Sequence, residues 1–256
     1  VFGGQVAAQA LVAASRTVDE RYIAHSLHSY FLQPGDPNVP TIYDVENLRD
    51  GRSFLTRRVT AQQHGQPIYA QTVNFHLVEP GFEHEESMPE VPGPDAESVR
   101  AISRTAHADR HADQWGVADI RLIGASGSGL EEDPRHPARQ RAWLRVSSRL
   151  PDDPFWHRAA FTYLSDMTLV GAALAPHGMS VDAAGAFVAS LDHSIWFHRP
   201  FRADEWWLYD QVAPSASSGR GLILARVFTQ DGSLVASVAQ EAVLRARKGA
   251  PAKEAE

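Results

Sequence analysis

One short pattern occurs twice along this chain, and the duplication constrains the fold more than any single motif. Tyr43-Asp44 is followed by Gly51-Arg52, Arg58-Val59-x-x-Gln62 and Gly65-x-x-Ile68-x-Ala70. Tyr209-Asp210 is followed by Gly219-Arg220, Arg226-Val227-x-x-Gln230 and Gly232-x-x-Val235-x-Ser237. The offset runs from 166 (Tyr43 to Tyr209) to 168 (Gly51 to Gly219), so only small insertions separate the copies. Each copy reads as strand, turn, strand, tight turn, strand, because His64-Gly65 and Asp231-Gly232 are hairpin signals between β-rich runs. A helical stretch precedes each copy. The first is Gln5 to Thr17, with Val6, Ala10, Leu11 and Ala14 at helical spacing; the second runs from about Phe155 to Leu174, with Pro154 where a first turn tolerates it. The expected class is α+β, built as two tandem modules of helix and antiparallel sheet.

The boundaries follow from composition. Residues 1–80 form the first module, 81–117 a linker, 118–250 the second module and 251–256 a charged tail. Glu83 to Pro94 is acidic and Pro-rich, and Gly124 to Pro137 has surface-loop composition. Asp119 to Ile123 and Arg141 to Arg149 read as strands opening the second module. The chain starts at Val1-Phe2-Gly3-Gly4 with no initiator Met and no signal-like segment, so residues upstream are expected.

At 256 residues there is ample core for one large domain or two small ones. The net charge of −7 argues against nucleic-acid or anionic-membrane partners, which call for clustered Lys and Arg. No apolar run approaches the roughly 18 residues of a membrane span. With zero cysteines there are no disulfides, thiol nucleophiles or thiolate metal sites, which fits a reducing compartment; a cytoplasmic location is expected.

Gln240 is the one polar residue on an otherwise apolar strand face of Leu234, Ala236, Val238, Ala242 and Leu244. A buried amide costs roughly 1–3 kcal/mol unless something hydrogen-bonds it. Periodicity alone favours a structural amide tying strands together.

Several longer strings alter that reading. Phe2-Gly-Gly-Gln-Val6, His28-Ser-Tyr-Phe-Leu32 with Pro34-Gly-Asp36, Gly81-Phe-Glu-His84, Asp192-His-Ser-Ile-Trp-Phe-His-Arg-Pro-Phe201 and Thr229-Gln-Asp-Gly232 resemble the acyl-CoA thioesterase II family over nearly the whole chain. The resemblance implies a double hotdog, each half wrapping an antiparallel sheet around a central helix. It implies hydrolysis of fatty acyl-CoA thioesters to free acid and CoA, without a metal or other cofactor. The family's catalytic trio falls here on Asp166, Ser190 and Gln240, 24 and 50 residues apart. Ser stands where some bacterial relatives carry Thr. Hotdog sheets bury edges and faces against other copies, so a homodimer or higher homo-oligomer is implied.

A thioester needs a more nucleophilic water and a more electrophilic carbonyl. Asp166, on the helix face of Tyr163, Met167 and Val170, is expected to have a raised pKa and to act as base or water-orienter. Ser190 and Gln240 are expected to position that water and carboxylate, with backbone N–H groups near a helix N-terminus assisting the oxyanion. Direct attack by Asp166 on the carbonyl fits the same residue types.

Rivals are weaker. Asp192, on the face assigned to Ser190, is read as structural, capping or pairing with His193. Ser126 and Ser128 miss the Gly-x-Ser-x-Gly frame of a nucleophile elbow. His25 and His28, three apart in a strand, are expected on opposite faces; His107 and His111 have helical spacing but no third acidic ligand, so no metal is expected. His193 and His198 are candidates to line the site, with packed or solvated roles favoured, and Trp196, Trp206 and Trp207 read as core or interface. Arg57, Arg58, Arg199 and Arg202 are the basic residues that could meet CoA phosphates. A silent acyl-CoA sensor lacks nothing but turnover, and a hotdog hydratase needs an Asp and His pair on one short segment that is not found.

Overall fold

Alternating burial draws the strands: in β3 (Phe54–Gln63) every second residue, Leu55, Val59 and Ala61 among them, is buried, and those between are exposed or half-buried. A computed structural model of the chain describes residues 1–101, 116–123, 138–177, 179, 181 and 186–246. His107, His111, Ser126, Ser128 and the tail lie outside them. The remaining strands are β1 (Tyr22–Phe31), β2 (Ile42–Asp50), β4 (Gln66–Leu77), β5 (Val99–Ala101), β6 (Ala118–Ile123), β7 (Arg139–Val146), β8 (Ala186–Ser190), β9 (Asp192–Phe197), β10 (Trp207–Ser217), β11 (Arg220–Thr229) and β12 (Leu234–Ala246). They form one antiparallel sheet in the order β2-β3-β4-β1-β9-β12-β11-β10-β7-β6-β5, with β8 also pairing with β12. The two sequence copies are the three-stranded runs β2-β3-β4 and β10-β11-β12. His64, Gly65 and Gly232 all take positive φ at their turns.

Helix α1 (Gly3–Ser15) lies over β1 to β4 and touches α2 (Pro154–Ser165). Helix α3 (Leu169–Leu174) lies over β7, β10, β11 and β12. All three feed one continuous core, with Leu11, Leu27, Phe161, Leu169 and Ile223 fully buried. The repeated Tyr points inward in both copies: Tyr43 donates to Gln9 Oε1 (2.6 Å) and Tyr209 to the carbonyl of Ser165 (2.9 Å). Asp210 points the other way, into Arg139, Arg141 and Arg226. None of the described helices is long and apolar enough to cross a membrane.

Four expectations need correction. The helix expected over 155–174 breaks after Ser165 and resumes at Leu169, because partners across the core compete for its backbone and side chains. Gln140 donates to the carbonyl of Thr168 (3.2 Å), Thr168 donates to Gln211 (3.2 Å), and Gly171 leaves room for Gln140. His25 and His28 share the outer sheet face, since a β-bulge at His25 resets the alternation. A second irregularity near Val235 turns Leu234 out of the Gln240 face. Finally, part of the stretch assigned to a linker is built in: Val99–Ala101 is a strand, and the segment before it crosses the outer face, burying Met88 and Val91 against Trp143, Trp206, Leu208 and Phe228. Trp143 donates to the carbonyl of Pro92 (2.8 Å), and Glu86 pairs with Arg226 (2.6 Å).

Candidate active site

β12 changes partner at Gln240. Its residues Ala236 to Ala239 pair with β9 and Ala242 to Ala246 with β8, leaving Gln240 at the seam. Leu191 is the step between β8 and β9: its N–H donates to the carbonyl of Glu241 (2.8 Å) and its own carbonyl accepts from Phe31 N–H (2.9 Å). In an unbroken strand Ser190 and His193 would face opposite ways. The step turns both toward Gln240.

A chain of side-chain hydrogen bonds results. Ser190 Oγ donates to Asp166 Oδ1 at 3.4 Å, and Gln240 Nε2 donates to Ser190 Oγ at 2.8 Å. Gln240 Oε1 lies 2.5 Å from His193 Nδ1, and His193 Nε2 lies 2.8 Å from Ser165 Oγ. Gln240 and His193 are fully buried. The three residues singled out from sequence therefore converge, and the structure adds His193 and Ser165. Sequence left His193 as no more than a candidate to line the site; the step at Leu191 is what brings it to Gln240.

The helix break sets Asp166 free at the end of α2, facing the first turn of α1. That turn has no side-chain cap and no acidic residue of its own. The carboxylate of Asp166 packs against that turn, and the Gly4 N–H is among the groups that hold its pKa down. Side chains are excluded there: a Cβ on Gly3 would lie 2.7 Å from Asp166 Oδ2, and one on Gly4 2.2 Å from the carbonyl oxygen of Tyr163. Burial pushes the Asp166 pKa up to about 6, against the opposing pull of the Gln240 amide, the Gly4 N–H and the Ser190 hydroxyl. Burial drives His193 down to about 4, so it is neutral at pH 7. An open groove of about 210 Å³ borders the same turn, lined by Gln5, Gln9, Thr41 and Tyr43 among others.

The rivals fall elsewhere. Asp192 is not on the Ser190 face; it sits opposite Tyr30 on the outer side and accepts the Glu241 N–H (2.7 Å), not a bond from His193. His198 bonds Ser237 (2.8 Å). Trp207 is core, Trp206 is covered by Arg121 and Arg145, and Trp196 lies beside His28 on the outer face. Arg57 is buried on Thr17 and Asp50, Arg202 is held by Asp152 and Asp204, and Arg199 pairs with Glu85. Only Arg58 of the four is exposed with a loose partner, Glu46 at 3.8 Å. Among the described residues no three His, Asp or Glu cluster as metal ligands.

This fold is a hot dog fold. A solved structure from Alicyclobacillus acidocaldarius described by that name superposes with a TM-score of 0.77 at 24% identity, over 96% of this chain and 88% of that one. An acyl-CoA thioesterase II from Mycobacterium marinum superposes with a TM-score of 0.85 at 44% identity, over 96% and 90% of the two chains. Residues 134–243 match the family described as acyl-CoA thioesterase, and residues 1–76 the acyl-CoA thioesterase N-terminal domain. Human acyl-coenzyme A thioesterase 8 is 38% identical over 96% of this chain and 81% of its own length. Acyl-CoA thioesterase 2 of Haemophilus influenzae is 37% identical over 96% and 87%. The chain belongs to the acyl-CoA thioesterase family of thioester hydrolases.

Proposed function

We propose that this protein hydrolyses fatty acyl-CoA to free acid and CoA, with Asp166, Ser190 and Gln240 acting as a unit. The observation that carries the reading is the hydrogen-bonded run from Gln240 through Ser190 to a part-buried carboxylate beside a helix N-terminus. With its pKa near 6, Asp166 is mostly ionised at neutral pH yet basic enough to draw a proton from water. The water oxygen adds to the thioester carbonyl as its proton passes to Asp166. Free N–H groups of the first turn of α1 stabilise the oxyanion. Collapse breaks the C–S bond, and the proton on Asp166 goes to the departing thiolate. The polar groove beside that turn suits the amide-bearing arm of CoA. No metal or other cofactor takes part, so turnover should survive EDTA.

The architecture accompanying this reading is a double hotdog. Its support is the strand order, in which β2-β3-β4-β1 meets β9-β12-β11-β10, and the duplicated sequence pattern. Assembly into a homodimer or higher oligomer belongs to the same reading, supported by Tyr30, Trp196, Leu222 and Leu224, which stand exposed on the outer sheet face.

The test is thiol release from a panel of short to long acyl-CoAs. Asp166→Asn should lower kcat by about 10²–10⁴ while the protein stays folded. Wild-type turnover by a folded Asp166→Asn protein would overturn the assignment.

A further inference from the structure

We propose that His193 is a positioning residue: while Asp166 is ionised, it holds the Gln240 amide in the orientation that donates to Ser190 and, through Ser190, supports Asp166. This rests on the Asp166, Ser190 and Gln240 reading above.

An amide has two ends of nearly equal shape, and only hydrogen-bond partners choose between them. Ionised Asp166 accepts hydrogens and donates none. Ser190 must therefore spend its single hydrogen on Asp166 Oδ1 (3.4 Å), and its oxygen must accept from the NH₂ of Gln240 (2.8 Å). That leaves Gln240 Oε1, a pure acceptor, against His193 Nδ1 (2.5 Å), which must carry the ring hydrogen. His193 Nε2 is then bare and accepts from Ser165 Oγ (2.8 Å). Every donor then points one way, from Ser165 to the carboxylate, with the single hydroxyl hydrogen of Ser165 turned from the Thr162 carbonyl (3.0 Å) to the ring. The two links to His193 are buried and the two at Ser190 part-buried, and hydrogen bonds chained in this way reinforce one another.

A second self-consistent chain runs in reverse. If Asp166 is protonated, it donates to Ser190, Ser190 to Gln240 Oε1, and Gln240 NH₂ to a bare His193 Nδ1. His193 Nε2–H then donates to Ser165, whose hydroxyl is 3.0 Å from the carbonyl of Thr162. The direction of the chain thus follows the charge on Asp166, and the tautomer of neutral His193 reports it. Two other titratable groups feel the Asp166 charge, Tyr69 on β4 and Tyr209 on β10, and burial keeps both as neutral phenols. His193 itself stays uncharged through this range.

The experiment compares His193→Phe, which removes the lock, with His193→Asn, which keeps a donor near Nδ1. His193→Phe should lower kcat roughly 10–100-fold, by analogy with the loss on removing a partner that orients a metal ligand, with KM little changed. The acid limb of kcat/KM should move to higher pH, and His193→Asn should restore most of both. A folded His193→Phe enzyme with wild-type kcat and an unmoved acid limb would overturn the proposal, as would Asn behaving like Phe. Imidazole ¹⁵N spectra of the wild type need no folded variant. They should show His193 as the Nδ1–H tautomer at pH 8, passing to Nε2–H as Asp166 is protonated, and the change should vanish in Asp166→Asn. An Nε2–H tautomer at pH 8 refutes the lock. Full turnover by Asp166→Asn refutes only the reading beneath it, since the spectra report the lock without turnover.

Discussion

Asp166→Asn should reveal a pH dependence of stability that the wild type conceals. The folded protein raises Asp166 from 3.8 to about 6 and lowers His193 from 6.5 to about 4. For the raised carboxylate, the folded state holds a proton between pH 4 and 6 that the unfolded chain has released, so its contribution falls as pH rises. For the lowered imidazole the unfolded chain holds the extra proton, so that contribution is full above pH 6.5 and is lost as pH falls toward 4. The two slopes, each about 1.4 kcal/mol per pH unit, oppose one another across pH 4 to 6. Asp166→Asn deletes the falling slope. Relative to wild type, the variant should gain about 3 kcal/mol between pH 4 and 7, from about two units at that conversion. Urea unfolding of both proteins at each pH unit measures the difference, in which all other titrations cancel. A difference that stays within about 0.5 kcal/mol across the range, well below one unit's worth, would refute the burial argument for Asp166. His193→Asn should tilt the same plot the opposite way.

Gly4→Ala places a methyl 2.2 Å from the Tyr163 carbonyl oxygen and should destabilise by roughly 1–3 kcal/mol, the range for overpacking, read as a lower melting temperature. Its acid limb for thiol release should also rise, because α1 must retreat from Asp166. From its strand face alone, Gln240→Leu would relieve a desolvation penalty. With His193 on its oxygen, the change strands a buried donor and should instead cost roughly 1–3 kcal/mol in urea unfolding. Its loss of kcat should be non-additive with that of Ser190→Ala in the double variant; full additivity would separate the two residues.

Local chemistry made much of the fold legible. His64-Gly65 and Asp231-Gly232 encode their hairpins in backbone preference, and a period of two marks the buried faces of β3 and β12. Convergence of Asp166, Ser190 and Gln240 was accessible through family resemblance, not through spacing. Features set by distant partners were hidden. Gln140 and Gln211 decide where the second helix breaks, yet lie 28 and 43 residues from Thr168. The bulge at His25 and the step at Leu191 shift alternation by one residue, which no pattern of apolar residues announces. His193 was legible as a candidate to line the site, but its place beside Gln240 depends on that step. The acidic, Pro-rich composition of Glu83 to Pro94 reads as solvent-facing, although Met88 and Val91 use it to cover a second small cluster.

The junction of β1 with β9 has a consequence for biosynthesis. Leu27 and Ile195, facing one another across it, are both completely buried, and Ser26 meets Trp196 from the far end of the chain. On a ribosome adding about 5–20 residues per second, β1 waits roughly 10–30 s for that partner. Through that interval the nascent chain presents an unpaired edge bearing apolar side chains, open to another nascent chain's β1 as well as to its own β9. Chaperone occupancy should therefore persist from the emergence of β4 until β9, and then its other neighbour β12, have emerged.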